Sequence, residues 1–244
     1  DVAGQFEKYD FMALPVVDKE NRLVGIITVD DAIDVIQEEA TEDIEKMAAI
    51  LPSDKTYFKT GVFATFKSRI PWLMLLMISA TFTGAIISSF EHKLTAIPAL
   101  IAFIPMLMDT GGNSGSQSSV TIIRAISLGD IEFSDIFKVI WKELRVAFCC
   151  SIALAAVSFV KLWLVDYLIF HTFDPGKQML EISVVCITLF ITIIVAKFVG
   201  CVLPILAKKI GFDPSVMASP FITTIVDAIA LLVYFRIAVA VLGI

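Results

Sequence analysis

Charge is scarce in this 244-residue chain. Only 18% of its residues are Asp, Glu, Lys or Arg, and histidine occurs twice. Soluble domains carry about 25% charged residues, so a chain with 57% hydrophobic residues and a mean hydropathy of +0.85 is not an ordinary soluble enzyme. It has no basic stripe. With a formal net charge of −6, nucleic-acid binding is excluded as a main activity, because that activity rests on neutralising phosphates. Cysteine is also sparse. Cys149, Cys150, Cys186 and Cys201 all lie in apolar runs and form no C-x-x-C pair. That argues against a disulfide framework and against a zinc site.

The charge is unevenly spread. Residues 1–56 hold 14 acids and 5 bases, a net of 5 − 14 = −9, and residues 57–244 hold 11 acids and 14 bases, a net of 14 − 11 = +3. The chain therefore divides into an acidic head and a hydrophobic body.

A helix crosses a bilayer with about 20 mostly apolar residues. Five stretches meet that length: Ile70 to Phe90, Leu94 to Ile123, Val146 to Val165, Ile182 to Ala207 and Pro214 to Ile244. Alternation at period two is absent, which argues against a membrane barrel. The expected class is an all-α membrane protein with five transmembrane helices per subunit, a partial α/β segment and an acidic connecting helix before them. The expected boundaries are 1–36 for the partial domain, 37–68 for the connecting helix and 69–244 for the membrane body. Lys55, Lys59, Lys67 and Arg69 precede the first span. Arg124, Lys138, Lys142 and Arg145 follow the second, and Lys208 and Lys209 follow the fourth. The remaining loops hold only Lys93 and Lys177. The positive-inside rule then puts the head in the cytoplasm of a multi-pass cell (inner) membrane protein and, after five crossings, the C-terminus outside.

Asp227 lies about thirteen residues into the last span, near mid-depth at a rise of ~1.5 Å per residue. An Asp at that depth costs roughly 2.5–3.5 kcal/mol on insertion scales. Helical spacing puts Pro220, Thr223, Thr224, Asp227 and Tyr234 near one face. That face reads as a cation site lining a path, or else as a protonated acid bonded to a neighbouring helix. In the second span, Asp109, Asn113 and Gln117 recur every four residues beside Ser116, among Gly111, Gly112 and Gly115. The glycines read as a broken, pore-lining helix or as close helix packing, and the two are compatible. His92 and His171 fall in loops, and Trp72 and Trp163 read as interfacial anchors.

In the head, residues 13–17 and 23–29 read as two strands joined by a turn over 18–21. A helix is expected to follow, capped by Asp30 or Asp31. Asp30, Asp34, Glu38 and Glu42 share a stripe at i, i+4 spacing, where like charges repel. A divalent cation would relieve that repulsion, as would simple solvation. About thirty residues of strand and helix cannot bury an adequate core, so the chain is read as beginning partway through a domain.

The run Pro105-Met-Leu-Met-Asp-Thr-Gly-Gly-Asn-Ser-Gly-Ser-Gln-Ser-Ser-Val-Thr-Ile-Ile-Arg-Ala125 resembles the second-helix signature of the MgtE family of magnesium transporters. Phe212-Asp-Pro214 with Ser219-Pro-Phe-Ile-Thr-Thr-Ile-Val-Asp227 is similar to that family's fifth helix. Ala13 to Asp18 with Gly25 to Asp31 looks like the second half of a CBS domain. The family carries a complete CBS pair and an N-terminal helical domain, of which this sequence holds only the end.

The resemblance implies a homodimer in membrane lipid, with a pore on its two-fold axis. It implies that Asp227 of both subunits binds the pore Mg²⁺, and since Mg²⁺ gives up water reluctantly, Thr223 and Asn113 are expected to hold its water shell. It also implies that Asp213 and connecting-helix acids (Glu42, Asp43, Glu45) sense internal Mg²⁺ and close the pore. Rival readings are transport of Co²⁺, Zn²⁺ or Ca²⁺, a membrane sensor without flux, and an intramembrane aspartyl protease using Asp109 and Asp227. The protease is disfavoured because Thr-Ile-Val, rather than Gly-x-Gly, precedes Asp227. Residues 25–30 fit the short pattern that holds a ribose and phosphate in CBS domains, but with half the domain missing a nucleotide is not expected.

Overall fold

The computed structural model describes residues 2–53, 56–91, 97–169 and 178–243. The expectations placed on Lys55, His92, Lys93, His171 and Lys177, and on the opening residues of the second span, lie outside this set.

The head begins with helix α1 (Val2–Tyr9) and an antiparallel pair, β1 (Ala13–Val17) and β2 (Leu23–Thr28). Asp18 closes the hairpin. Its Oδ1 accepts the amides of Glu20 at 2.8 Å and Arg22 at 2.9 Å, and its Oδ2 accepts Arg22 Nε at 2.9 Å. Asn21 takes the left-handed conformation that such a tight turn needs, at φ +58°. Helix α2 (Val29–Met47) follows without a break.

The N-cap of α2 is Thr28, not Asp30 or Asp31. Asp31 instead occupies the third helical position. Its carboxylate reaches back to accept the Thr28 amide at 3.0 Å and the Thr28 hydroxyl at 2.7 Å, which is capping-box geometry. The amide bond, followed by the hydroxyl, holds the Asp31 carboxyl below its ordinary range. At its other end α2 closes on Ala49, in the left-handed region at φ +55°. The Ile50 amide bonds back to Glu45 O at 2.9 Å and the Ala49 amide to Lys46 O at 2.9 Å. This is a Schellman stop.

The body holds α3 (Val62–Ser89), α4 (Ile104–Ser127), α5 (Ile136–Lys161, extended by one wide helical turn at Leu162–Tyr167), α6 (Met179–Lys209) and α7 (Ser219–Leu242). Among the described residues, four helical stretches are long and apolar enough to cross a membrane: Val62–Ser89, Phe133–Val165, Met179–Lys209 and Pro214–Leu242. The expectation of five transmembrane helices is therefore corrected to four. The missing span is the one expected from Leu94 to Ile123. Its helix, α4, carries Asp109-Thr-Gly-Gly-Asn-Ser-Gly-Ser-Gln-Ser-Ser119, and these small and polar residues take it below the apolarity of its neighbours. The outside C-terminus depended on an odd number of crossings and is not retained.

What α4 loses in apolarity it gains in packing. It lies chiefly against α6 and α7, with Leu107, Gly111, Gly115, Ser118 and Ser119 buried. It is one continuous helix, so the glycines do not break it. They thin its surface. A Cβ on Gly200 of α6 would stand 2.2 Å from the Gly115 carbonyl oxygen, and one on Gly111 would stand 2.7 Å from Thr192 Cγ2. Backbones approach this closely only through glycine. The core centres on α6, where Val184, Val185, Ile193 and Ala196 are fully buried. Tyr234 of α7 fits into it and donates to Leu100 O at 2.8 Å. Helix α3 has no buried residue and packs chiefly against α7.

Candidate functional site

The polar face expected on α7 divides in two. Thr223 and Asp227 turn towards α4 and line an open groove of about 440 Å³ with Asp109, Gly112, Asn113 and Met108. Tyr234 is fully buried in the core, and Thr224 lines a different, apolar recess between α3 and α7. The spacing argument placed these residues on one face. The tilt of α7 against α4 decides which of them reach the groove.

Gly112 makes the juxtaposition possible. A Cβ at that position would crowd Thr223 Cγ2 at 3.0 Å and reach ordinary contact with Asp227 Oδ1 at 3.5 Å, so a side chain there would press first on Thr223. Thr223 spends its hydroxyl proton on Pro220 O at 3.0 Å. Its oxygen lone pairs therefore remain available to donors such as the water shell of a cation. Asp109, Asn113 and Gln117 are exposed along one stripe of α4, and Asp227 is half-buried. Among the described residues, no three His, Cys, Asp or Glu side chains converge to hold a bare metal ion. Asp109, Asn113, Thr223 and Asp227 offer oxygen donors, the type preferred by hard cations.

Behind the groove lies a polar cluster that the sequence reading did not find. Ser118 of α4 donates to Glu143 Oε2 of α5 at 2.6 Å, and Lys197 Nζ of α6 donates to Ser118 Oγ at 3.3 Å. All three residues are buried. One serine thus joins α4 to both neighbours. The next residue, Ser119, donates to Met217 O at 2.6 Å and ties α4 to the 214–217 turn that leads into α7.

The acids expected to sense cations also separate into two sets. Asp43 meets the 213–217 turn. Its Oδ1 accepts from Ser215 Oγ at 2.6 Å and its Oδ2 from Ser127 Oγ at 3.1 Å. Asp213 Oδ1 accepts the Ser215 amide at 2.9 Å. Between Glu42 and Asp213 stands Lys46, its Nζ 2.5 Å from Glu42 Oε1 and 2.5 Å from Asp213 Oδ2. Partial burial alone would raise the Asp213 carboxyl, but the Lys46 ammonium and the Ser215 amide outweigh it and hold the carboxyl below its ordinary range. Burial likewise acts to lower Lys46, and its two carboxylate partners outweigh that and push it above the usual lysine range. Glu45 belongs elsewhere. Its Oε2 accepts the Ser53 amide at 3.0 Å, and with Asp34, Glu38 and Glu42 it lines an open acidic cleft of about 930 Å³. Of the four acids expected to sense cations, Asp43 and Asp213 come together, Glu42 reaches Asp213 through Lys46, and Glu45 faces the cleft.

The family model MgtE, described as a divalent cation transporter, matches residues 104–237, and a CBS domain model matches residues 1–38. A magnesium transporter MgtE of Thermus thermophilus is 38% identical over 238 residues, covering 98% of this chain and 50% of the relative. One of Bacillus subtilis is 38% identical over 244 residues, covering 98% and 51%. One of Enterococcus faecalis is 33% identical over 238 residues, covering 98% and 50%. The chain spans about half the length of the curated relatives it matches. The groove and the match both fall on α4 to α7, and the chain belongs to the MgtE family of divalent cation transporters, a family of transport proteins and not of enzymes.

Proposed function

We propose that this chain conducts Mg²⁺ across the cell membrane through a pore that a second copy completes, with Asp227 at its centre. The observation that carries the reading is the open groove where Asp227, Asp109, Asn113 and Thr223 share one wall. Polar side chains in an apolar body are costly against lipid. A second copy across a two-fold axis would cover them and bring a second Asp227 to the path. Mg²⁺ gives up its water reluctantly. Two carboxylates with neutral oxygens between them suit a hydrated dication better than a bare one, and the family relatives named as magnesium transporters support that choice of ion.

In this reading residues 1–36 are a partial CBS unit and 37–68 an acidic connecting segment. Residues 69–244 form the pore body. The head lies on the cytoplasmic side, as Lys59, Lys67, Arg69, Lys208 and Lys209 near the helix ends favour. Internal Mg²⁺ gathers Glu42, Asp43 and Asp213 and holds α2 against the 213–217 turn, which closes the pore. When Mg²⁺ falls, that bridge is lost, the acids repel and the hold on the turn weakens. The acids of the cleft, Glu45 among them, add to the field that draws the cation in.

The test is Mg²⁺ flux in proteoliposomes. Asp227→Ala abolishes uptake while insertion and elution volume stay unchanged, and flux at the wild-type rate in that variant refutes the reading. A chemical cross-link that gives only monomer in the same vesicles refutes the second copy.

A further inference from the structure

The acids that meet Asp213 already hold a cation, and it belongs to the chain. Lys46 Nζ lies 2.5 Å from Glu42 Oε1 on its own helix and 2.5 Å from Asp213 Oδ2 on the turn before α7. Three more carboxylate oxygens of the site also have donors. Asp213 Oδ1 takes the Ser215 amide, Asp43 Oδ1 takes the Ser215 hydroxyl, and Asp43 Oδ2 takes the Ser127 hydroxyl. A dication that takes Asp213 Oδ2 and Glu42 Oε1 together stands where the Lys46 ammonium stands, and like charge sets the two against each other. A backbone amide inside a turn cannot withdraw. An ammonium on a flexible four-carbon stem can.

We propose that Lys46 is a tethered counter-ion. It holds α2 against the 213–217 turn when no metal is bound, and it competes with Mg²⁺ for Asp213, which sets the concentration at which the metal takes over. The first half stands on the ion pair alone. The second half rests on the sensing reading above.

The two halves make opposite demands on one substitution. Lys46→Gln removes the tether, so α2 leaves the turn more readily without metal. It also removes the competitor, so metal binds at lower concentration. A lysine that merely stabilised the local structure would weaken both when lost. Lys46→Arg keeps a cation in place and preserves docking without metal.

Docking is read as the distance between nitroxide labels at Ile33→Cys on α2 and Ile210→Cys at the end of α6, both exposed positions. The whole chain is used, with its native cysteines changed to alanine. Binding is read with Mn²⁺, a hard dication with a visible paramagnetic spectrum, and Asp213→Asn identifies the share of binding that needs Asp213. In chelator, wild type and Lys46→Arg give the short distance and Lys46→Gln a broad, longer one. The Asp213-dependent Mn²⁺ binding of Lys46→Gln is tighter by about tenfold, the scale of one charged hydrogen bond that the ion no longer displaces. An unchanged distance in chelator overturns the tether. Unchanged or weaker Mn²⁺ binding overturns the competition. If metal neither binds through Asp213 nor moves the labels in any variant, the sensing reading itself fails and the competition with it, and the distances in chelator still decide the tether.

Discussion

Gly200→Ala tests whether the body is held together by backbone contact between α4 and α6. The added Cβ would stand 2.2 Å from Gly115 O and 3.0 Å from Gly115 C. An ordinary contact begins near 3.4 Å, so the helices must part by about 1.2 Å, the difference between 3.4 and 2.2. The obstacle is a carbonyl in the middle of a helix, fixed by helical bonding, and it has no rotamer to change. Overpacking a tight core costs about 1–3 kcal/mol and sometimes more, and this case belongs at the upper end because neither partner is flexible. Displacing α4 also moves Asn113 and Asp109 relative to Asp227. The assay is thermal unfolding in detergent, followed by fluorescence and by the monodisperse fraction after heating, with flux measured alongside. Gly84→Ala in α3 is the control. A Cβ there meets nothing within 4 Å, and alanine in an exposed helix is favoured over glycine by roughly 0.5–1 kcal/mol. Gly200→Ala should therefore lower the midpoint and reduce Mg²⁺ flux, while Gly84→Ala leaves flux unchanged and raises the midpoint slightly. If both variants behave like wild type, the close approach of α4 and α6 is not the contact that positions the groove.

Glu143→Ala removes the acceptor of Ser118 and leaves the Lys197 ammonium, 4% exposed, in a site without its acid. The loss should reach about 3 kcal/mol or more, the usual scale for an uncompensated buried charge. Glu143→Ala with Lys197→Met should recover part of it in the same thermal assay, and a double variant no better than the single one refutes the cluster as a charge unit. The ion pair of Lys46 and Asp213 also sets a pH window. The Asp213 carboxyl is lowered from 3.8, so its contribution is complete above that value and is lost only as pH falls through the lowered value. Lys46 is raised from 10.5, so its contribution is complete below that value and is lost only as pH rises through the raised one. Metal-free docking, read by the label distance, should stay flat from about pH 5 to 9; a transition near neutrality refutes the pairing.

Much of the fold could be read from the sequence because it rests on local chemistry. The strands at 13–17 and 23–28 follow from two short apolar runs on either side of the polar turn at Asp18, and four apolar helices follow from run length alone. Two features escape single-residue reasoning for the same reason. Asp30 and Asp31 are good caps in isolation, yet Thr28 takes the cap because Asp31 three residues later can return the bond. The stop of α2 at Ala49 carries no glycine to announce it, although the backbone there is left-handed. In each case the decisive partner lies a few residues away, and single-residue propensities do not record it. The second span failed for a different reason. Counting charges gave Leu94 to Ile123 one ionised residue, but ten small and polar residues after Asp109 lower apolarity without adding charge.

The candidate site was legible where chemistry makes a residue conspicuous and illegible where only the tertiary arrangement does. Asp227 stands out because an acid in an apolar helix needs a reason to be there, and its neighbour Thr223 follows from helical spacing. Tyr234 satisfies the same spacing and lies in the core, because the choice of face belongs to the packing of α7 on α4. Lys46 looked like one ordinary base at the end of an acidic helix, 167 residues from its partner. Glu143 and Lys197 lie on different helices and meet only through Ser118, so neither spacing nor composition could pair them. These hidden contacts all join elements remote in sequence, and those of Asp43, Lys46 and Ser119 converge on one segment. The 213–217 turn is held by Asp43 and Lys46 from the head and by Ser119 from α4, and it runs directly into the helix that carries Asp227. A displacement of α2 that carries the turn with it strains the bond of Ser119 to Met217 O or pulls on α7. The strength of that last bond, 2.6 Å long, decides how far a change at the acids is felt at the groove.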